Sequence, residues 1–189
     1  HNSWIYSYGA TVGGGMYNSC YGYKATVGGG WYSRAMGSWS NVGTGLYNYA
    51  GSEMSVAMSG GYNSAGGYRS TINGGGYNGA YSSYTLVGGG QSNYVYAPFT
   101  AIAGGHNSYI YSYSGTVGGG MYCSSYGSWG GVGGGWYQKS FGTRSVIGGG
   151  YWNWNYGSYG VIGGGSYNWL NSDAYVSIGG GHNHYIYAY

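Results

Sequence analysis

The chain repeats itself about every 15 residues from end to end, and this period excludes most folds before any single residue is considered. Triple-glycine blocks begin at Gly13, Gly28, Gly74, Gly88, Gly118, Gly133, Gly148, Gly163 and Gly179. Degenerate copies begin at Gly43 (GTG), Ser59 (SGG) and Ala103 (AGG). Successive blocks lie 15 residues apart, except for intervals of 16 before Ser59 and Gly179 and one of 14 before Gly88. A unit this short cannot hold a pair of packed helices. It fits one coil of a β-solenoid, with two short strands and two tight turns, each coil hydrogen-bonding the next at a step of about 4.8 Å. The expected fold is all-β: one domain over residues 1–189, a parallel β-solenoid or β-roll of about twelve coils of a Gly/Tyr-rich repeat. If straight, it would be about 58 Å long.

Counting each block from its first glycine as position 0 resolves the repeat into columns. The residue just before position 0 is Val12, Val27, Val42, Met58, Asn73, Val87, Ile102, Val117, Val132, Ile147, Ile162 or Ile178, an apolar inner ladder with Asn73 as its exception. Position 2 is always glycine. Position 8 is mostly aromatic (Tyr21, Tyr96, Tyr111, Tyr126, Phe141, Tyr156, Tyr187), and stacking turns it into an aromatic ladder, inside or outside the coil. Asn, Ser and Gly at positions 5, 6 and 9 are turn formers. The charges fall at position 6 (Arg34, Lys139), position 10 (Glu53, Arg69, Asp173) and position 11 (Lys24, Arg144). These positions must face solvent, because an unpaired buried charge is costly.

The glycine runs, for example Gly13-Gly14-Gly15, Gly118-Gly119-Gly120 and Gly148-Gly149-Gly150, leave a stripe without side chains. Bare backbone in a strand often marks close approach of another backbone. Three readings fit: the two sheets approach closely there, a neighbouring rod packs on the stripe, or the runs are tight turns.

Composition narrows the function. Charged residues are 4% of the chain and the net charge is +3, whereas Gly contributes 47 residues and Tyr 29. Two carboxylates, Glu53 and Asp173, leave little for acid–base chemistry, and no nucleophile, base and orienting group recur together. An enzyme is not expected, nor a cofactor. The glycine runs lack the Lys-Ser/Thr of a phosphate loop, the charge is too small and scattered for a nucleic-acid footprint, and no apolar run is long enough to span a membrane. His1, His106 and His182 occupy one repeat position, so His1 reads as a letter of the repeat rather than a metal ligand. His182 and His184 are expected on one strand face. Cys20 and Cys123 are seven coils apart and too distant for a disulfide in a straight rod. They are free, or they link neighbouring chains. Trp31, Trp136, Trp152, Trp154 and Trp169 are candidates for sugar-stacking platforms or for packing between rods.

The segments ATVGGGMYNSCYG, GTVGGGMYCSSYG and SVIGGGYWNWNYG resemble the head repeats of YadA-like trimeric autotransporter adhesins. The resemblance implies a left-handed parallel β-roll, usually trimeric, on a bacterial surface. The period departs from that family's 14, and three glycines stand where it has Ala-x-Gly.

Residues 1–17 recur almost letter for letter at 106–122, and the chain closes on HNHYIYAY at 182–189. Both termini are therefore repeat, and uncapped solenoid ends invite stacking. The expected assembly surface comprises His1, Asn2, Trp4, Tyr6 and Tyr8 at one end, with His182, Asn183, His184, Tyr185, Tyr187 and Tyr189 at the other. These features point to a secreted structural protein, a homopolymer forming an extracellular filament or surface fibre. A chain opening on His1 without Met fits a mature form after signal cleavage. Two other classes fit: an adhesin gripping glycans through Tyr and Trp, and an ice-binding solenoid, for which Thr11, Thr26, Thr71 and Thr116 form a broken threonine ladder.

Overall fold

The computed structural model describes residues 2–172 and 175–188. His1, Asp173 and Tyr189 lie outside the described residues. The chain forms two compact units, His1–Val95 and Tyr96–Tyr189. Both are parallel β-solenoids, together about twelve turns with about 15 residues per turn.

Each coil contributes one short strand at positions 6–7 and another at positions 13–14. In the first unit one sheet runs from Trp4–Ile5 through Ser19–Cys20 and Arg34–Ala35 to Tyr94–Val95, and the other from Thr11–Val12 to Leu86–Val87. In the second unit the corresponding sheets run from Tyr109–Ile110 to Tyr185–Ala188 and from Ala101–Ile102 to Ser177–Ile178. All pairing is parallel and in register, as in Trp4↔Ser19 and Ile147↔Ile162. A third contact column, at position 3, is a row of single-residue bridges such as Met16↔Trp31.

The observed register removes two of the three irregular intervals. Val42 pairs with Ala57, Ala57 with Ile72, and Ile72 with Val87, a strict step of 15. Met58 and Asn73 thus occupy position 0, outside the barrel, and Met58 is 48% exposed. Choosing the block by its glycines had shifted these two coils by one residue. The inner ladder is apolar throughout, because Ala57 and Ile72, both fully buried, fill the places given to Met58 and Asn73. The same correction moves Arg69 to position 11, beside Lys24 and Arg144. The interval of 16 before Gly179 is real: Leu170 is 15 residues beyond its partner Asn155, whereas Ile178 is 16 beyond Ile162.

The core is thin and filled by complementary volumes. Position 14 points inward with Val or Ile in most coils, and position 7 faces it across the coil. In most coils of the first unit position 7 is small (Cys20, Ala35, Ala50, Ala65, Ala80), with Val95 at its end, and position 12 carries Ala25, Ser40, Ser55, Ser70 and Thr85. In the second unit larger or polar groups enter at position 7, and glycine compensates at position 12 opposite Ile110, Ser125 and Asn155, whereas Ser140 bonds the Ser145 hydroxyl. A Cβ on Gly115 would lie 3.0 Å from Ile110, one on Gly130 2.7 Å from the Ser125 hydroxyl, and one on Gly160 2.5 Å from Asn155 Oδ1. Close packing of this kind leaves no slack for a methylene. The buried Asn155 amide is satisfied locally, donating to the Gly160 carbonyl at 2.8 Å while its Oδ1 accepts from the Gly157 N–H at 3.1 Å.

Candidate functional site: the outward aromatic columns

The surface is organised by backbone handedness. Every described non-glycine residue with positive φ falls at position 4 or position 11, among them Tyr17, Tyr32, Tyr47, Tyr62 and Tyr77 at position 4 and Lys24, Trp39, Arg69 and Arg144 at position 11. The left-handed conformation costs about 1–2 kcal/mol per L-residue. At these corners the N–H reverses direction and donates to the preceding coil, as in Tyr32 N–H to the Met16 carbonyl (3.1 Å) and Trp39 N–H to the Tyr23 carbonyl (2.8 Å). The reversal turns the side chain outward, and outward-facing aromatics from successive coils stack.

Stacking supplies part of the compensation, about 0.5–1.5 kcal/mol per aromatic pair. In the first unit Tyr17, Tyr32, Tyr47, Tyr62 and Tyr77 form a ladder with ring centroids 4.8, 5.0, 5.0 and 4.8 Å apart. In the second unit Tyr122, Tyr137 and Trp152 continue the motif at 4.6 and 4.8 Å. The position-8 ladder also lies outside. Tyr96, Tyr111, Tyr126, Phe141 and Tyr156 stack at 5.0, 5.1, 4.7 and 4.4 Å, and Tyr6 stacks on Tyr21 at 4.4 Å. In the first unit this column is interrupted where Gly51 sits under the Tyr49 ring. Burial in the stack, followed by the neighbouring Tyr126 and Tyr109 phenols, pushes the Tyr111 pKa up, and burial does the same for Tyr156.

Cations are drawn into the aromatic columns. Lys24 Nζ lies 5.2 Å from the Tyr23 centroid and 4.6 Å from that of Trp39, and the Arg69 guanidinium sits 5.1 and 5.8 Å from Tyr68 and Tyr84. Arg144 lies 5.3 Å from the Tyr159 centroid and donates to its hydroxyl at 2.5 Å. Such contacts are worth about 0.5–1 kcal/mol when exposed.

The glycine runs are corners joining the position-14 strand to the position-3 bridge. Within a run the three glycines differ. The third has positive φ in every coil, and in most coils an added Cβ would meet the next coil's backbone; the first is crowded to a lesser degree in most coils; the middle one has open space or ordinary contact around it in most coils. The run is braced by the position-5 asparagines, which the sequence reading took only as turn formers. Asn63 Nδ2 donates to the Ser59 carbonyl (2.8 Å) and to the Gly75 carbonyl of the next coil (3.0 Å), and its Oδ1 accepts from the Asn78 N–H (3.1 Å). Asn18, Asn48, Asn78, Asn153 and Asn168 repeat the pattern. Position 5 is thus a ladder that ties coil to coil, more than a turn former.

Of the residues expected at an assembly surface, Trp4, Tyr6, Tyr8, Tyr185 and Tyr187 are exposed, between 41% and 80%. Asn2 is exposed as well. His182 and His184 do not share a strand face. Asn183 between them has φ 64° and the strand begins at Tyr185, so period-two alternation does not apply. The His182 ring contacts Tyr167 edge-on and its Nδ1 bonds the Ser166 hydroxyl at 2.8 Å, whereas the His184 ring packs beside Gly181. Cys20 and Cys123 are free and fully buried, each in its own unit. Burial pushes both thiol pKa values up. A buried thiol is a poor linker to another chain.

Sequence reasoning missed the position-4 ladder because the two shifted coils moved Tyr62 and Tyr77 out of their column, and Asn63 and Asn78 out of theirs. Counting the chain at a strict 15 would have aligned both. No family model matches the chain, and no curated protein matches it significantly. The fold and surface define the class: a parallel β-solenoid with a tyrosine-rich exterior. Among the described residues no helix is long and apolar enough to cross a membrane.

Proposed function

We propose that the protein is a structural subunit of a self-assembling extracellular filament or surface fibre. The observation that carries this reading is the pair of outward aromatic ladders at positions 4 and 8 on a chain that is only 4% charged. Large rings held in fixed rows by the backbone lose little freedom on association, and aromatic residues dominate interface energies. Low charge removes the repulsion that keeps domains apart. In-register parallel pairing of coil on coil supports a second copy adding its coils by the same hydrogen-bond pattern. The resemblance to YadA-like head repeats supports placement at a cell surface.

Electron microscopy of the purified chain at neutral pH tests the proposal. Uniform filaments with an axial repeat near about 4.8 Å are expected. Replacing Tyr47, Tyr62, Tyr111 and Tyr126 with serine should reduce assembly while circular dichroism still reports the sheet. A chain that stays monomeric at high concentration would overturn it.

A further inference from the structure

Two grooves on the position-6 face carry the same chemistry. In the first unit a groove of about 300 Å³ is lined by Trp4, Tyr6, Ser19, Tyr21, Arg34 and Met36. In the second, one of about 160 Å³ is lined by Tyr109, Tyr122, Ser124, Tyr126 and Lys139, among others. Within each groove three residues follow one another in register on adjacent parallel strands: Trp4↔Ser19↔Arg34, and Tyr109↔Ser124↔Lys139. The order is aromatic, serine, cation. Beyond each cation stands a further aromatic, Tyr49 or Trp154.

The two grooves are copies. The likeness of 1–17 to 106–122 extends through both of them: Ser19, Tyr21, Trp31 and Tyr32 recur as Ser124, Tyr126, Trp136 and Tyr137, with Lys139 in the place of Arg34. Elsewhere position 6 holds Tyr, Trp, Gly or a lone Ser64. A cation occurs there twice, each time after a serine that follows an aromatic. Position 6 alternates with the buried position 7, so these side chains stand on the outside of the sheet. Ser19 and Ser124 are nevertheless only 5% and 4% exposed, because the surrounding rings wall them in. Glu53 stands at a turn, away from this face, so it does not neutralise the cations.

We propose that Trp4–Ser19–Arg34 and Tyr109–Ser124–Lys139 are two copies of one binding site for an acidic glycan, with Tyr21 and Tyr126 as stacking walls. Adjacent strands are about 4.8 Å apart, so the aromatic-to-cation span is about 10 Å, enough for a sugar ring with its exocyclic acid group. The electron-rich ring faces meet the C–H face of a pyranose. The serine floor offers a hydroxyl to the sugar hydroxyls. The cation takes the carboxylate or sulfate in a charge-assisted hydrogen bond. The grooves share Trp4, Tyr6, Tyr21 and Tyr126 with the faces assigned to assembly, so binding is read on the dispersed chain.

The test uses the full chain, dilute and dispersed, with calorimetry and tryptophan fluorescence. The probes are a short oligogalacturonate, a sulfated oligosaccharide and a neutral oligosaccharide, all of the same length. An acidic probe should bind at two sites per chain, and the carboxylated and sulfated arms show which acid group is taken. Arg34→Gln and Lys139→Gln should each remove one site, and together weaken binding at least ten-fold. The charge-matched pair Lys24→Gln and Arg144→Gln should leave binding unchanged. The proposal is overturned if neither acidic probe binds, if the neutral probe binds equally, or if the control pair loses as much. Tighter binding of a single-stranded oligonucleotide in the same grooves also overturns it.

Discussion

Three adjacent glycines, Gly28, Gly29 and Gly30, are chemically identical and should respond differently to one added methyl group. Gly30 has φ +104°, and a Cβ there would fall 2.1 Å from the Gly45 oxygen and 2.8 Å from the Gly45 nitrogen. That oxygen accepts the Trp31 N–H at 2.9 Å, so it cannot retreat without weakening a coil-to-coil bond. The left-handed conformation adds about 1–2 kcal/mol, and a compromised buried hydrogen bond about 1–3 kcal/mol. Gly30→Ala should therefore destabilise by about 2–5 kcal/mol. At Gly29 φ is outside the left-handed region and the nearest neighbour is the Gly14 oxygen at 3.8 Å. Gly29→Ala should be neutral, or stabilise by up to about 1 kcal/mol through the unfolded chain. Gly28, whose Cβ would sit 2.7 Å from the Gly43 oxygen, should fall between, since Met58 and Asn73 show that position 0 accepts a side chain. The assay is urea denaturation followed by circular dichroism, comparing midpoints at constant slope. Equal losses for Gly29→Ala and Gly30→Ala would refute the reasoning, as would a Gly30→Ala variant as stable as the parent.

The asparagine ladder predicts a gain of stability at its one glutamine. Gln138 occupies position 5, its Oε1 accepts the Asn153 N–H at 3.2 Å, but its Nε2 is buried without an acceptor. Gln138→Asn should restore the two amide donations made by Asn153 and raise stability by about 1–2 kcal/mol; an unchanged or lower denaturation midpoint would count against the ladder as a source of stability. A second prediction concerns alkaline pH. Burial, and secondarily neighbouring phenols at two of the three, raises the Tyr81, Tyr111 and Tyr156 pKa values above 10.0. The folded state favours the neutral phenol, so this stabilisation is complete below about pH 10, the unfolded value, and is lost as pH rises through the folded pKa values. Spectrophotometric titration should show a late-ionising set of tyrosines in the native chain that disappears in denaturant. Native phenols ionising all at the unfolded value would contradict the packing described for these rings.

The sequence by itself determined the coil. A 15-residue period with a β-branched residue before most glycine runs and an invariant third glycine leaves room for little besides a stacked parallel solenoid. The outward placement of Arg34, Lys24 and Glu53 followed from the cost of burying charge. Backbone register was decided only in three dimensions. Ala57 and Ile72 fill the core in place of Met58 and Asn73, because a strict step of 15 keeps each coil's hydrogen bonds aligned, whereas matching glycines does not. The asparagine brace and the tyrosine ladder at position 4 were equally hidden. Both depend on a left-handed corner that local propensity disfavours in any one coil, and that becomes stable when the coils on either side supply the hydrogen bonds and the ring stack.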